Sequence, residues 1–229
     1  MQADLTIQLF AKAPEPGAVK TRLIPALGAQ RAALLHERLV EHAGRSVAAA
    51  CAAIGRAHGE LWCSPDLSSN FLRALAERHG LTLRQQSAGD LGMRMRDALQ
   101  SAMPGRAMLL GSDCPMLDPA ALADADRALR THDAVFVPVE DGGYALVGFR
   151  DTVTDCFSGV AWSTDQVMAQ TRARLGATGI RWKELPTAWD VDTAADVQRL
   201  QADVRFAHLL PELEPMRPVE SQQPFVQPL

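Results

Sequence analysis

The sequence predicts a three-layer α/β domain built around a mostly parallel sheet. Short apolar runs bounded by Gly, Pro or Asp alternate with longer stretches whose apolar residues recur at helical spacing. Strands that are separated by helices pair in parallel through right-handed crossovers, and the helices cover the faces of the sheet. A composition of 47% hydrophobic and 22% charged residues is that of an ordinary folded protein.

Seven strands and six helices are predicted in this order along the chain. The strands cover residues 5–10, 60–63, 81–85, 107–110, 134–137, 144–149 and 180–185. The helices cover residues 29–54, 69–79, 91–103, 120–129, 163–175 and 194–204. Between the fifth and sixth strands, residues 140–143 read Glu-Asp-Gly-Gly, which is a hairpin turn signal. The sheet is therefore expected to be mixed, with one antiparallel hairpin.

The predicted domain covers residues 1–210, and residues 211–229 form a proline-rich tail. Five of the 14 prolines lie in this tail, which has no hydrophobic periodicity. We expect the tail to be extended or disordered, with wrapping around the second subunit of a homodimer as the alternative.

Charge and cysteine spacing exclude several classes of protein. A formal charge of −4, from 27 acidic and 23 basic residues, disfavours a nucleic-acid binder held by bulk charge. The longest clean apolar run, residues 47–54, is far below the roughly 20 residues that span a bilayer, so we expect a cytoplasmic protein without membrane contact. Four cysteines without a C-x-x-C pair and six histidines without H-E-x-x-H indicate neither a disulfide framework nor structural zinc.

The loop after the first strand gathers positive charge. Only three residues of the chain are lysines, and Lys12 and Lys20 both lie in this loop, close to Arg22. Ligands of open α/β sheets bind at the carboxyl ends of the strands, so the loop is predicted to bind phosphate. It is not a Walker loop, because two residues separate Gly17 from Lys20. A solvated loop stiffened by prolines is the alternative.

Two aspartates are predicted to hold a divalent cation. Asp113 follows a buried-looking strand, and Asp118-Pro119 already supplies the cap of the next helix. Asp190 and Asp192 point the same way in an extended segment and repel each other unless a cation lies nearby. We expect Mg²⁺ or Mn²⁺ at Asp113 and Asp192, with Asp192 favoured over Asp190 and helix capping as the alternative.

The hairpin turn is also a candidate substrate-binding segment. Gly142 and Gly143 would permit close approach of a substrate that Asp141 and Tyr144 then hydrogen-bond. A plain hairpin carries equal weight.

Two further segments combine a helix start with a binding role. Ser163 and Gln166 have capping-box spacing, and Trp162 beside them is a candidate wall of the acceptor site. Gly92 and Arg94 open an earlier helix whose N-terminus is predicted to contact a base or phosphate, with a simple chain turn as the alternative.

Together the motifs resemble the nucleotide-diphospho-sugar transferase superfamily, the GT-A fold. They read K-x-P-x-x-G-x-x-K-T-R-L, D-L-G-x-R-M, G-S-D-C-P, D-G-G-Y-x-L-x-G, W-S-T and D-V-D-T, in this order between residues 5 and 200. The pattern is similar to a bacterial glycosyltransferase-like subfamily related to the molybdenum-cofactor guanylyltransferases and phospholactate guanylyltransferases. The resemblance implies a Rossmann-like sheet that binds a nucleotide at its carboxyl edge with Mg²⁺ or Mn²⁺. It places Asp113 and Asp192 at the metal-site positions, and Lys20 and Arg22 at the basic end of the first loop.

The chain departs from relatives that transfer a nucleotidyl group. Those relatives carry a glycine-rich L-A-A-G-x-G-x-R loop, whereas this chain has a proline-containing loop with one glycine. Ala194 also stands where relatives often have proline.

The expected function is a metal-dependent transferase with a nucleotide or nucleotide-sugar donor and a small-molecule acceptor. Lys20, Arg22 and Asp113 would stabilise the charge that develops on the phosphates. Glycosyl transfer is favoured slightly, and nucleotidyl transfer to a small phosphorylated acceptor stays open. A non-catalytic nucleotide-binding protein is the alternative from another class, but it would not need carboxylates at two strand ends. A scaffold that binds a partner through the tail is a third, weaker alternative.

Overall fold

The computed structural model describes residues 4–210, which form one seven-stranded sheet with helices on both faces. The strands are β1 (Leu5–Lys12), β2 (Ala57–Ser64), β3 (Thr82–Gln85), β4 (Arg106–Gly111), β5 (Ala134–Pro138), β6 (Tyr144–Arg150) and β7 (Trp182–Glu184). The helices are α1 (Ile24–Leu27), α2 (Ala29–Ile54), α3 (Asn70–His79), α4 (Leu91–Ser101), α5 (Pro119–Leu129), α6 (Val167–Thr178) and α7 (Ala194–Ala202). Short 3-10 turns cover Thr21–Leu23 and Ala207–Leu209.

The strand order β3-β2-β1-β4-β6-β5-β7 confirms the predicted mixed sheet. β6 is antiparallel to both β4 and β5, and every other pairing is parallel. The β5–β6 hairpin is the predicted one. Because β6 is antiparallel to β4 and β5, it begins at the edge where those strands end. The β5–β6 turn therefore lies at the carboxyl edge of the parallel strands.

Alternating side chains of the strands separate the core into two layers. On β1, Leu5, Ile7 and Leu9 pack in the layer that α2, α3 and α5 cover. Phe10 points to the opposite face, into the layer that α4 and α6 cover. This alternation gives the predicted three-layer architecture.

A third hydrophobic cluster lies beside the sheet and joins segments that are far apart in sequence. It contains Leu23 from the first loop, Leu35 from α2, Trp189 and Val191 before α7, and Phe206 from the end of the described chain. The rings of Trp189 and Phe206 are 6.4 Å apart. The first loop and the segment that carries the D-V-D motif therefore rest on a common apolar base.

Local signals placed most helix ends correctly. The Asp118 side chain accepts a hydrogen bond from the Ala121 amide at 2.8 Å, and Thr193 with Asp196 forms a capping box, as the spacing of a threonine and an acidic residue three positions later indicates. The start predicted for the helix at residue 163 was wrong, because α6 begins at Val167.

The capping box predicted from Ser163 and Gln166 does not form, because α6 begins at Val167 and Gln166, not Ser163, is at the N-cap position. Ser163 instead has a φ of 65°, a left-handed conformation, within the turns that precede the helix. The proline-rich tail, residues 211–229, lies outside the described residues. No helix in the described range is long and apolar enough to cross a membrane.

Candidate active site at the carboxyl edge of the sheet

Four segments with sequence-predicted residues meet at one edge of the sheet. They are the first loop, the segment after β4, the β5–β6 turn and residues 188–192. The first loop follows β1, and Asp113 follows β4. Residues 188–192 run past the end of β5, where the Ala188 amide donates to the Pro138 carbonyl at 2.9 Å. The Val191 amide donates to the Asp113 carbonyl at 2.9 Å, so the two predicted metal-binding segments are joined directly.

Lys20 lies between the two predicted metal ligands. Its Nζ is 2.9 Å from Asp113 Oδ1 and 3.1 Å from Asp192 Oδ1, and it donates to the Val191 carbonyl at 2.7 Å. The lysine side chain is only 4% exposed, so it does not extend into solvent as a free phosphate ligand. Burial by itself would lower the pKa of Lys20, but the charges of Asp113 and Asp192 outweigh burial and the pKa is raised.

His36 is a site residue for which the sequence analysis made no prediction. It is buried on α2, its Nδ1 is 3.8 Å from Asp113 Oδ1, and its Nε2 is 3.1 Å from the Lys12 carbonyl. Partial burial acts to raise the pKa of Asp113, but Lys20 and His36 hold it well below its ordinary range. A histidine among the buried positions of α2 was the available signal, because a buried polar side chain requires a partner.

Asp192 also belongs to a second group of carboxylates. One oxygen each from Asp141, Asp190 and Asp192 lie within 4.8 Å of one another. The Gly143 amide donates to Asp141 Oδ1 at 2.9 Å and fixes that side chain. Burial, and then the charges of Asp141 and Asp192, raise the pKa of Asp190 to about 6.

The donor set of this acidic cluster fits a divalent cation. Mg²⁺ takes oxygen ligands at about 2.1 Å, so two ligands on opposite sides of the ion lie about 4.2 Å apart. The three carboxylate oxygens lie within 4.8 Å of one another, which is of that order, whereas the facing oxygens of Asp113 and Asp192 already contact an ammonium group. Asp141, which was predicted to bind substrate, thus joins Asp192 in a candidate metal site.

Beside the cluster is a cleft with a volume of about 390 Å³. Arg22 lines it; its side chain is 66% exposed, and its Nη1 is 3.6 Å from Asp192 Oδ2. The lining also includes Leu91, Met95, Asp141, Gly143, Tyr144, Trp162, Asp190 and Asp192. One side of the cleft is thus charged and the other is apolar.

Two glycines allow the walls of the cleft to pack closely. Gly142 has a φ of 89°, and a Cβ at this position would lie 2.1 Å from the Asp165 carbonyl oxygen. A Cβ on Gly92 would lie 2.6 Å from the indole of Trp162. The hairpin turn therefore docks on the segment before α6, and the first turn of α4 rests on Trp162.

Several predicted binding residues do not face the cleft. Gly92 is buried against Trp162, and Arg94 donates to Gln86 Oε1 at 3.2 Å. Lys12 is exposed, and its side chain makes no hydrogen bond or ion pair with any residue between 4 and 210.

Tyr144 differs from its predicted role as a hydrogen-bonding group. Its ring packs edge-on against Phe136 and Trp162, with centroids 5.3 and 6.4 Å away. The hydroxyl oxygen is buried and has no partner within the part of the chain that the structure describes. Burial raises the pKa of Tyr144 well above its ordinary value. The hydroxyl is therefore not offered to a ligand in the cleft.

Comparison with known families assigns the chain. A family model described as "Uncharacterized protein conserved in bacteria (DUF2064)" matches residues 47–164. The chain belongs to the DUF2064 family. No curated protein matches the sequence of this DUF2064 chain.

Solved structures confirm the resemblance that the motifs predicted. A candidate nucleotide-diphospho-sugar transferase from Desulfovibrio desulfuricans G20 is 29% identical, with a TM-score of 0.78 and 90% of each chain covered. A nucleotidyl transferase from Methanothermobacter thermautotrophicus is 12% identical, with a TM-score of 0.59, 90% of this chain covered and 97% of that one. A CMP:2-keto-3-deoxy-manno-octonic acid synthetase complexed with CTP is 13% identical, with a TM-score of 0.54, 87% of this chain covered and 98% of that one. The last two show that the DUF2064 chain shares the fold of nucleotide-sugar and nucleotidyl transferases.

Proposed function

We propose that this DUF2064 protein is a metal-dependent transferase that uses a nucleotide or nucleotide-sugar donor. The observation that carries the proposal is the cleft that brings three clustered carboxylates and an exposed arginine to the carboxyl edge of the sheet. Nucleotide ligands of open α/β sheets bind at that edge. The 29% identity with the candidate nucleotide-diphospho-sugar transferase supports a sugar nucleotide as the donor.

The acidic residues of the site would bind a metal ion, and the arginine would bind phosphate. Asp141, Asp190 and Asp192 would hold a Mg²⁺ or Mn²⁺ ion, which when bound neutralises charge on the phosphates of the donor. Arg22 has an exposed guanidinium group that can donate two parallel hydrogen bonds to a phosphate. These groups stabilise the leaving phosphate more as its negative charge grows, which is the requirement for catalysis.

The apolar side of the cleft suits an acceptor or the sugar of the donor. Trp162 presents an aromatic wall, and Leu91 and Met95 extend it along α4. Sugar rings and other small molecules bind to such mostly apolar pockets that contain a few fixed polar groups. Asp141, held by the Gly143 amide, is the polar group at the boundary between the two sides.

A thermal-shift panel tests the donor class directly. Nucleoside triphosphates and nucleotide-sugars are added to the purified protein with and without Mn²⁺. We expect a nucleotide-sugar to raise the melting temperature only when Mn²⁺ is present, because binding to the folded state stabilises it by RT ln(1 + [L]/Kd). Absence of any shift contradicts the proposal. A shift that does not need metal favours a nucleotide-binding protein without turnover.

The leaving group distinguishes the two transfer reactions. Attack on the sugar carbon of a nucleotide-sugar breaks the bond to the β-phosphate oxygen and releases a nucleoside diphosphate. Attack on the α-phosphorus of a nucleoside triphosphate releases pyrophosphate. Slow transfer to water lets both be measured before the acceptor is known. Pyrophosphate release from triphosphates alone would reassign the protein as a nucleotidyltransferase.

A further inference from the structure

We propose that Lys20 is the permanent cation of the Asp113–Asp192 pair, so that the carboxylate oxygens facing the ammonium are not available to a divalent cation and Asp113 positions the first loop. The inference rests on the proposed function only for the identity of the cleft as the active site. It assigns Lys20 and Asp113 as positioning residues, a different role from the phosphate-binding and metal-binding roles that their motifs predict.

The Lys20 ammonium is surrounded by oxygens of the chain. It donates hydrogen bonds to the Val191 carbonyl at 2.7 Å and to Asp192 Oδ1 at 3.1 Å, and it forms an ion pair with Asp113 Oδ1 at 2.9 Å. Because the side chain is 4% exposed, solvent does not compete for these contacts. A divalent ion bound to the same two carboxylate oxygens would stand next to the ammonium and be repelled by it.

The backbone of the first loop is shaped for this contact. Lys20 has a φ of 47° and a ψ of 41°, a left-handed conformation that side-chain-bearing residues rarely adopt. It is one of three non-glycine residues with positive φ in the described chain. The local strain is offset by two ion pairs, and the turn directs the Lys20 side chain inward while Arg22 stays exposed beside the cleft.

The contact of Lys20 with Asp113 and Asp192 fixes the distance between Arg22 and the acidic cluster. Lys20 belongs to the same loop as Arg22, whereas Asp192 belongs to the acidic cluster. Leu23, the residue after Arg22, packs in the same hydrophobic cluster as Val191. The ion pairs of Lys20 and this apolar contact hold the loop near Asp192, in addition to the 3.6 Å contact of Arg22 with Asp192.

The small number of lysines allows a direct test on the wild-type protein. Lys12, Lys20 and Lys183 are the only lysines in the sequence, and Lys12 and Lys183 are exposed internal controls. Acetylation by an amine-reactive ester, followed by mass spectrometry, gives a rate for each. We expect Lys20 to react more slowly than both controls by about tenfold or more, the factor that 1.4 kcal/mol of opening free energy gives. Equal rates would overturn the proposal.

Labelling in the presence of Mn²⁺ tests whether a metal ion displaces the Lys20 ammonium from the two carboxylates. The labelling is repeated in Mn²⁺, and bound Mn²⁺ is measured in parallel by electron paramagnetic resonance. We expect Lys20 to stay protected while Mn²⁺ binds. Unmasking of Lys20 by Mn²⁺ would show that the metal displaces it and would overturn the proposal. Protection without Mn²⁺ binding would support the proposal for Lys20 and contradict the metal dependence of the proposed function, so the two failures are distinguishable.

Matched Asp→Asn variants separate the Lys20 contact from the cluster. Asp113 contacts Lys20, whereas Asp190 belongs to the neighbouring cluster and has no ion pair with Lys20 among the described residues. We expect Asp113→Asn to speed acetylation of Lys20 and Asp190→Asn to leave it unchanged. The opposite pattern, or no effect of Asp113→Asn, would overturn the assignment.

Discussion

Two groups of charged side chains share Asp192 and differ in electrostatic balance. On one side, an ammonium lies between Asp113 and Asp192, and the pKa of Asp113 falls well below its ordinary range. On the other side, three carboxylates lie within 4.8 Å, and the pKa of Asp190 rises to about 6. The comparison shows that the same residue type is structural where its counter-charge is built into the chain. An aspartate is available for a ligand where no buried cation of the chain neutralises its carboxylate.

The largest expected effect comes from the acidic cluster of Asp141, Asp190 and Asp192. Asp190→Asn should weaken Mn²⁺ binding by about 100-fold or more, since even outer partners of metal ligands contribute 10- to 100-fold. Titration of Mn²⁺ followed by electron paramagnetic resonance measures this affinity. Asp165→Asn is the matched control, because Asp165 lines the same cleft outside the cluster. Equal affinities in the two variants would remove the cluster as the metal site.

Removal of the built-in cation tests the other group. Lys20→Met leaves Asp113 and Asp192 facing each other, and we expect a loss of about 2 kcal/mol in the free energy of unfolding. This is below the 3–5 kcal/mol of a fully buried pair, because the Asp113 side chain is 43% exposed. Urea denaturation measures the loss.

Lys12→Met provides the control for Lys20→Met. Lys12 is the last residue of β1, directly before the same loop, and is exposed, so its replacement should change stability by less than about 0.5 kcal/mol. Similar losses in both variants would mean that the ion pairs of Lys20 contribute nothing measurable.

Two glycines test the packing of the β5–β6 turn and of the first loop without changing any charge. Gly142 and Gly17 have nearly the same φ, 89° and 86°, but only Gly142 has a backbone oxygen 2.1 Å from an added Cβ. Gly142→Ala should therefore cost about 1 to 2 kcal/mol more than Gly17→Ala, the usual range for overpacking. It should also weaken Mn²⁺ binding through Asp141. Thermal and urea unfolding of both variants measure the difference, and equal costs would contradict the observed packing of the turn.

The smallest expected effect is a pH dependence without metal. The folded-state pKa of Asp190, about 6, exceeds its ordinary value of 3.8, so ionisation of Asp190 destabilises the fold as the pH rises between these values. Asp190→Asn removes this loss. Its melting temperature should match the wild type near pH 4 and exceed it above pH 6 by about 2–4 °C, or about 1 kcal/mol after solvent screening. A constant difference across this range would contradict the raised pKa.

The sequence predicted the architecture because its signals are local. Periodicity alone placed α2 at Ala29–Ile54, the Asp118 cap followed from the proline directly after it, and the Thr193 cap followed from an acidic residue three positions later. The rule that ligands bind at the carboxyl ends of strands put Lys20, Arg22 and Asp113 at one edge of the sheet. These predictions needed no knowledge of which side chains touch.

The partners within the site were not predictable in the same way. Lys20 is 93 residues from Asp113 and 172 from Asp192, and only the folded chain decides that its ammonium lies between them. Asp141 was assigned to substrate because its neighbours are turn glycines, although its cluster partners come from residues 190–192. Ser163 had the right spacing for a cap, but packing of Trp162 on α4 set the backbone before α6.

The hydrophobic cluster beneath the first loop has a consequence for the order in which the molecule can mature. Leu23 leaves the ribosome long before Phe206 and Leu209, which belong to the same cluster. Contacts of such long sequence separation close large loops and form late in folding. The sheet can start to pair during synthesis, but the apolar base under Arg22 and the D-V-D segment is complete only after residue 209 has emerged. A nascent chain would therefore form its sheet before the candidate site reaches its final geometry.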